Sequence, residues 1–299
     1  MSEALRIGTR GSPLALAQAE LVMGALRRSD ASVSLQVVPI RTAGDRTHRS
    51  DVALDFTDEI DRRLEATEID LAVHSAKDLP AVSRRAIEVA AYLHRGDPRD
   101  CLVLRGGGKL RSLPPGARIG SSSARRKAQL CAARPDLEIV PIRGNIGTRL
   151  EKMTSLPLDG VMVAAAGLIR LGWSARISEY LSVRRWLPAP CQGAIAVAVR
   201  TADQRVGEVV GNLDHLPTRQ AVESERAVVA TLGGGCNLPL GALARIEHGR
   251  LRLRAALYAP DGRRQVTAER GGNPKAAVQL GQRLGVELAA RGREGGFTW

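Results

Sequence analysis

A short segment that begins at His74 carries the densest group of chemically active side chains in the sequence. Four of them fall within five residues, at His74, Ser75, Lys77 and Asp78. The segment follows a predicted strand at residues 69–73, so we expect it at the exit of that strand, a common position for catalytic side chains. Its donors could bind an anion, and its carboxylate could stabilise a cation. A solvated loop without a catalytic role is the alternative interpretation.

Each of two predicted helices starts behind a loop of small residues with arginine beside it. In the first, Arg10 lies in a tight loop after a strand at residues 5–7, and Ser12 is a helix N-cap followed by proline. In the second, Ser123 ends a serine run after a strand at residues 118–120. Helix starts of this kind expose backbone N–H groups and therefore favour anions.

Arg125 and Arg126 stand just inside the second helix start. The helix dipole disfavours cations at that end, so an anionic ligand explains the pair better than helix stability does. Further arginines, at Arg143, Arg149 and Arg170, follow two more predicted strands, at residues 138–142 and 161–164.

Arginine also dominates the overall charge. The chain has 44 basic and 31 acidic residues, a net charge of +13, and only five of the basic residues are lysine, which leaves 39 arginines. The planar guanidinium grips carboxylates and phosphates with two hydrogen bonds, which indicates an anionic partner. A nucleic acid is one candidate, but the eight aromatic residues give little base stacking. A small polycarboxylate or phosphorylated ligand fits equally well.

Four scattered cysteines, Cys101, Cys131, Cys191 and Cys236, form no C-x-x-C pair. This spacing argues against a disulfide framework and against a structural zinc site. Cys101 and Cys131 fall in a predicted strand and a predicted helix, and both are interpreted as core residues. Cys236 follows three glycines, which would let another group approach the sulfur closely, although a buried structural thiol is the alternative.

Several classes of protein and site are excluded. The hydrophobic fraction of 44% and the charged fraction of 25% are those of a folded protein. The glycine clusters lack the dinucleotide fingerprint and the Walker lysine, so NAD and ATP sites are rejected. The longest apolar stretch, residues 161–169, is far shorter than the ~18 residues of a membrane span. Because the first residues also lack the basic start of a secretory signal, we expect a cytoplasmic protein.

Apolar runs alternate with amphipathic helical runs through the first two thirds of the chain, which is typical of α/β domains with mainly parallel sheets. A charged linker that contains proline separates a first domain, residues 1–95, from a second, residues 99–188. The apolar residues 194–199 predict a strand that returns to the first domain's sheet, and residues 194–212 are therefore added to that domain.

The last part of the chain, residues 216–299, has a different pattern. It predicts a helix at residues 218–232, a strand near residues 242–246, a hairpin that turns at residues 259–262 and a closing helix at residues 274–290. We interpret this part as a small third domain of the α+β class.

Seven segments, in this order along nearly the whole chain, closely resemble the hydroxymethylbilane synthase family, also called porphobilinogen deaminase. They are IGTRGSPLALAQ (7–18), FTDEID (56–61), VHSAKDLP (73–80), GSSSARR (120–126), RGNIGTRL (143–150), AAGLIRLG (165–172) and GGC (234–236).

The resemblance implies an α/β fold with two periplasmic-binding-protein-like domains, a cleft between them and a small α+β C-terminal domain. It implies a transferase of porphyrin and heme biosynthesis that joins four porphobilinogen molecules, releases ammonia at each step and yields the linear tetrapyrrole hydroxymethylbilane. The chain would grow on a dipyrromethane primer held covalently through a thioether to Cys236. Primer and substrates carry acetate and propionate groups, which would explain the excess of arginine.

Site residues follow from the same match. Asp78, with Lys77, matches the catalytic position, where a carboxylate can stabilise the cationic azafulvene left when the aminomethyl group loses ammonia. The residues that match primer-binding positions are Cys236, Arg10, Ser12, Lys77, Asp78, Ser123, Arg125, Arg126, Arg143 and Gly144. Those that match substrate-binding positions are Arg10, Arg143, Arg149, Arg170 and Gln192.

The chain departs from the family pattern at three places. Only ten residues, 46–55, stand where the family has a longer lid, and we expect elongation to be leakier for that reason. Cys191 replaces the usual glycine before Gln192, and Ala198 replaces the usual glutamate in the following strand.

The sequence therefore predicts a monomeric cytoplasmic enzyme that uses neither metal nor nucleotide and binds neither nucleic acid nor membrane. Two alternatives stay open at this point. One is a diverged homologue that holds an anionic ligand between two lobes without turning it over. The other is an arginine-rich nucleic-acid binder, whose affinity would fall steeply with salt and would not depend on Cys236.

Overall fold

The computed structural model describes residues 4–42, 57–81, 84–234 and 238–297. The predicted lid at residues 46–55 and the Cys236 thiol lie outside these ranges. The chain forms two compact units, Met1–Gly96 with Ala194–Arg219, and Asp97–Gly193 with Gln220–Trp299. The division of the chain into three domains stays a prediction.

The helices and strands are numbered in chain order. The strands are β1 (Leu5–Arg10), β2 (Leu35–Ile40), β3 (Leu71–Ser75), β4 (Ile87–Tyr92), β5 (Asp100–Leu104), β6 (Arg118–Gly120), β7 (Glu138–Val140), β8 (Gly160–Ala164), β9 (Glu179–Tyr180), β10 (Ile195–Arg200), β11 (Leu240–Glu247), β12 (Arg250–Tyr258) and β13 (Gln265–Gly272). The α-helices are α1 (Pro13–Ser29), α2 (Asp58–Glu65), α3 (Ala124–Ala133), α4 (Ile146–Ser155), α5 (Ala165–Arg170), α6 (Gln204–Gly211), α7 (Leu216–Thr231) and α8 (Ala277–Glu294).

The first unit is built on one five-stranded sheet with the order β2-β1-β3-β10-β4. β1 runs parallel to β2 and β3, whereas β10 is antiparallel to both β3 and β4. The predicted return of residues 194–199 to this sheet is therefore confirmed. The expectation of mainly parallel pairing is wrong. β10 follows β4 only after the whole middle of the chain, so it is not the second strand of a right-handed crossover unit and can pair antiparallel with β3 and β4.

The second unit contains two sheets. The five-stranded sheet, ordered β7-β6-β8-β5-β9, is again half parallel, since β5 pairs antiparallel with β8 and β9. The three-stranded sheet β11-β12-β13 is antiparallel, and α8 packs its Leu284 and Leu288 against Leu251 and Leu253 of β12. The predicted hairpin and closing helix are both confirmed, and the fold class is α/β with a small α+β portion at the end.

Local signals in the sequence located the helix starts correctly. The Ser12 hydroxyl caps α1 by accepting from the backbone N–H of Ala15, and Ser123 caps α3 in the same way. The tight loop predicted from Gly8 is wrong, because β1 continues to Arg10. A Cβ atom on Gly8 would lie 2.2 Å from Ile69 Cδ1, so this glycine serves close packing within the strand rather than a turn. None of the described helices is long and apolar enough to cross a bilayer.

Candidate active site

Asp78 lies immediately beyond the carboxyl end of β3. A single turn of 3₁₀-helix, Ala76–Asp78, follows the strand, and the backbone N–H of Ala76 donates to the carbonyl of Ala194 at 3.0 Å. Ala76 is buried and anchors the turn, whereas Asp78 is half-buried and Lys77 is exposed. No residue in the described ranges forms a hydrogen bond or an ion pair with the Asp78 carboxylate. The turn therefore presents an anion whose hydrogen-bonding capacity the fold leaves unused.

The two polar residues before this turn have structural partners instead. The buried His74 places Nε2 3.1 Å from Asp61 Oδ1, and the hydroxyl of Ser75 lies 3.0 Å from the Gln18 amide nitrogen. The sequence grouped His74 and Ser75 with Lys77 and Asp78, but the structure separates the two pairs. Of the four, Asp78 is the residue whose side chain has no partner within the described ranges.

Arg10 shares an edge of the sheet with this turn. β1 and β3 are parallel neighbours, with Gly8 paired to Ala72, so their carboxyl ends lie at the same edge. Arg10 is the last residue of β1 and Ser12 caps the helix that follows. The structure thus brings a guanidinium and a helix start to the edge that carries Lys77 and Asp78.

A corresponding edge exists in the second unit. β7 and β8 are both parallel to β6, so all three strands end on the same side of the sheet. The loops and helices that follow them carry Arg125 and Arg126 after β6, Arg143 after β7, and Arg170 after β8. The sequence predicted arginines at strand exits, and the parallel pairing gathers them at one edge.

Arg125 and Arg126 bind a carboxylate of the protein itself. Asp100, which has no exposed surface, accepts from Arg125 Nη1 at 2.6 Å and from Arg126 Nη2 at 2.7 Å. Burial opposes ionisation of Asp100, but the two guanidinium charges outweigh it and hold the pKa of this carboxyl well below its usual range. The three side chains together carry one net positive charge.

The Asp100 cluster explains the two arginines at the start of α3 differently from the sequence-based prediction. An anionic ligand is not required to explain cations at the start of α3, because Asp100 supplies the anion. Asp100 was not predicted as a site residue, because it lies in a charged linker and no local pattern connects it to arginines 25 and 26 residues further on. The roles of Arg125, Arg126 and the capping residue Ser123 toward the primer stay predictions.

Gln192 completes the cluster around Asp100. Its amide nitrogen donates to Asp100 Oδ1 at 3.0 Å and to the carbonyl of Pro98 at 2.8 Å, and the side chain is buried. The structure therefore gives Gln192 a supporting position behind the arginines. Its predicted contact with substrate is untested.

Arg170 ends α5 in a half-buried position. Its Nη2 donates to the carbonyl of Gly193 at 2.6 Å, and within the described part of the chain no carboxylate pairs with it. Desolvation alone lowers the pKa of this guanidinium to about 10. A partly desolvated cation that no described carboxylate neutralises is a position that an anionic ligand would stabilise.

The loop before α4 holds the remaining predicted residues. Gly144 has a φ of +111°, a backbone conformation open to glycine, and its carbonyl accepts from Arg149 Nε at 2.8 Å. The carbonyl of Arg143 accepts from Lys152 Nζ at 3.1 Å. Asn145 caps α4 through Thr148 N–H at 3.0 Å. These bonds fix the loop between Arg143 and Arg149 and set the spacing of the two guanidinium stems.

Cys191 adopts a φ of +64°, in the left-handed region that glycine enters without strain. This conformation gives a physical reason for the glycine that the family usually has there. The backbone N–H of Cys191 donates to the buried carboxylate of Glu225, which also accepts from Ala244 N–H at 2.6 Å. Glu225 was not predicted from the sequence, although it anchors the loop that carries Gln192.

The structure also locates the two cysteines that were predicted as core residues, together with Ala198. Cys101 is fully buried in β5, and burial raises the pKa of its thiol to about 12, whereas Cys131 is half-buried in α3. Ala198 is buried in β10 opposite Ala72 of β3. In the described ranges no three His, Cys, Asp or Glu side chains group as a metal site would require.

Two family models cover almost the entire chain. Residues 5–208 match "Porphobilinogen deaminase, dipyromethane cofactor binding domain", and residues 219–290 match "Porphobilinogen deaminase, C-terminal domain". The chain belongs to the porphobilinogen deaminase family. It therefore contains the dipyrromethane-binding domain of that family, and the resemblance seen in the seven sequence segments is confirmed.

Individual members of the family match this chain over nearly their whole length. The porphobilinogen deaminase of Thermus thermophilus is 43% identical over 96% of this chain and 95% of its own. That of Xanthomonas campestris pv. campestris is 43% identical over 96% of both chains. Among solved structures, a TRAP periplasmic solute binding protein from Desulfovibrio salexigens covers 72% of this chain and 73% of its own, with 10% identity and a TM-score of 0.42.

The residues present fit an anionic primer. The Asp100 cluster keeps one net positive charge, and Arg170 is a desolvated cation whose side chain no described carboxylate neutralises. Both lie among the arginines at the carboxyl edge of β7-β6-β8, where a ligand with several carboxylates would find more than one partner.

Proposed function

We propose that this chain condenses four molecules of porphobilinogen into hydroxymethylbilane, with loss of one ammonia at each condensation, on a dipyrromethane primer bound to Cys236. Membership of the porphobilinogen deaminase family supports this reaction. The structural observation that carries the site assignment is the Asp78 carboxylate, half-buried at a sheet edge and without a described partner. A structural carboxylate in such a position would normally be paired.

Asp78 acts on the pyrrole nitrogen of the substrate. When ammonia leaves the aminomethyl carbon, positive charge spreads to this nitrogen, and a carboxylate held beside it stabilises that charge and orients the ring. The short turn behind buried Ala76 keeps the carboxylate in place, so little reorganisation is needed. Lys77, on the same turn, binds a carboxylate of the primer or the substrate.

The arginines hold the acetate and propionate groups. Arg10 serves at the edge of the first sheet, while Arg143, Arg149 and Arg170 serve at the edge of the second. Asp100 fixes the direction of Arg125 and Arg126, whose remaining N–H groups bind primer carboxylates. When bound, the primer supplies the terminal pyrrole carbon to which the first substrate is joined. Ser12, Ser123, Gly144 and Gln192 shape these contacts.

Intact mass spectrometry tests the proposal. Protein from a heme-competent host should be heavier than its sequence by a two-pyrrole adduct and should consume porphobilinogen. Cys236→Ser should lack both the adduct and the activity, while the matched control Cys131→Ser should keep both. An unmodified mass together with a negative chromogenic test for pyrroles would remove the covalent primer from the proposal.

We also propose that the enzyme is a cytoplasmic monomer that binds no nucleic acid. The described cysteines Cys101, Cys131 and Cys191 form no disulfide with one another, which suits a reducing compartment. Light scattering at working concentration tests the monomer. A titration with single-stranded DNA tests the absence of nucleic-acid binding. Salt-sensitive binding that is equally strong in the Cys236→Ser variant would contradict it.

A further inference from the structure

The small C-terminal sheet has two different faces. Residues 251, 253, 255 and 257 of β12 are buried against α8, so the intervening residues point to the opposite face. On that face Ala256 pairs with Thr267 of β13, and Tyr258 pairs with Gln265. This face is therefore mixed: Ala256 and Tyr258 pack against Ala128 and Leu187, and Arg254, Gln265 and Thr267 lie beside them as its polar part.

A cavity of about 260 Å³ opens on this face. Three arginines line it, Arg184 and Arg185 from the segment after β9 and Arg254 from β12, together with Tyr258, Gln265 and Thr267. None of these residues matches a primer or substrate position of the family. The cavity is therefore distinct from the residues of the candidate active site.

Within the described ranges the three guanidinium groups lack carboxylate partners. No carboxylate of the described chain forms an ion pair with Arg184, Arg185 or Arg254, and Glu269, the cross-strand neighbour of Arg254, lies beyond ion-pair distance. Arg254 Nη1 donates to the carbonyl of Arg184 at 2.8 Å, which ties the arginine segment to the sheet. Like charges held together in this way repel each other until an anion binds.

We propose that this cavity binds a small anion that carries at least two phosphate or carboxylate groups. Each guanidinium can grip one such group with two parallel hydrogen bonds. The volume is slightly below the ~300–1,000 Å³ of ordinary ligand pockets, which favours a compact anion over a tetrapyrrole. This inference does not depend on the proposed function.

Neutral groups in the cavity can add selectivity. Gln265 and Thr267 offer donors and acceptors to a hydroxyl or amide of the ligand. Burial raises the pKa of Tyr258 to about 12, and its protonated hydroxyl can donate to a ligand. A site with three cations and several neutral donors suits a hydroxylated polyanion.

Calorimetric titration of the full chain at low salt tests this inference, with pyrophosphate as the phosphate probe and citrate as the carboxylate probe. We expect saturable 1:1 binding of at least one of them, and the tighter of the two identifies the chemistry. Arg185→Gln/Arg254→Gln should weaken it by about tenfold or more. Arg184→Gln/Arg185→Gln, which keeps the Arg254 hydrogen bond, should do the same.

Two single variants serve as controls. Arg283→Gln removes an exposed arginine from α8, across the sheet from the cavity, and Arg170→Gln alters the candidate active site. Both should bind the probe as the unmodified chain does. The inference is overturned if neither probe binds saturably, if the double variants bind unchanged, or if Arg283→Gln weakens binding as much as they do, which would mean general charge attraction.

Discussion

Arg126 donates two hydrogen bonds to one oxygen of Asp100, from Nε at 3.0 Å and from Nη2 at 2.7 Å to Oδ1. Oδ2 is left for Arg125, at 2.6 Å from Nη1. One buried carboxylate therefore sets the orientation of two guanidinium groups that begin α3. Because Asp100 has no exposed surface and orients both guanidinium groups, removing its charge should affect both stability and ligand binding.

We expect Asp100→Asn to lower the free energy of unfolding by about 3–5 kcal/mol, since two buried cations would lose their counter-ion. Urea denaturation measures this change. The matched control is Asp136→Asn, whose exposed carboxylate pairs with Arg134 and should contribute little. Equal effects of the two substitutions would contradict the role given to Asp100.

The unmodified chain and the Asp100→Asn variant should also differ in how their stability depends on pH. The pKa of Asp100 is lowered in the folded state, so its ionised form stabilises the fold at every pH above the unfolded value of ~3.9. This contribution is lost progressively as the pH falls below that value toward the folded pKa. The difference in stability between the unmodified chain and Asp100→Asn should be constant from about pH 5 to 8 and should shrink below about pH 4.

Asp78→Asn should abolish most activity without destabilising the fold. The substitution keeps the shape and removes the charge, and loss of one electrostatic contact of this kind typically lowers turnover about 10²–10³-fold. The melting temperature should change little, because no described side chain is bonded to this carboxylate. Glu88→Gln, at an exposed position of β4, is the control and should leave both quantities unchanged. Near-normal turnover of Asp78→Asn would reassign the catalytic carboxylate.

Arg170→Gln should weaken use of the substrate more than it affects stability. A charge-assisted hydrogen bond contributes about 1.5–3 kcal/mol, so kcat/KM should fall roughly 10- to 100-fold. Stability should hold or rise slightly, since desolvation of this cation opposes folding. Arg176→Gln, which removes an exposed guanidinium stacked 5.0 Å from the Trp173 ring, should keep kcat/KM within about twofold. Parallel losses in the two variants would show that general charge is responsible.

Cys191 allows a test in which the sign of the effect is diagnostic. At a φ of +64°, glycine should be more stable than alanine by about 1 kcal/mol, because alanine pays the left-handed penalty. In the interior of α3 the order should reverse, with Cys131→Ala more stable than Cys131→Gly by roughly 0.5–1 kcal/mol. Thermal unfolding of the four variants measures both differences. If Cys191→Ala proved more stable than Cys191→Gly, the backbone at this position would not be left-handed.

The sequence by itself determined the features that depend on neighbouring residues. Ser12 and Ser123 cap helices because a side-chain oxygen can reach an N–H three residues ahead in any fold. The hairpin turn ending in Gly262 was readable because its φ of +73° is a conformation that glycine enters without strain. Family membership was likewise readable, because seven short segments keep their order along the chain.

Only the tertiary structure decided which partners meet across long separations. Asp100 finds Arg126 because β5 and α3 pack in the same unit, and nothing within a few residues of either predicts it. β10 lies antiparallel between β3 and β4, which local apolar patterns cannot distinguish from a parallel arrangement. Gly8 continues a strand because Ile69 packs against it, although its sequence resembles a turn. Charge pairing, strand direction and close packing are set by distant residues, so they exist only once the chain has folded.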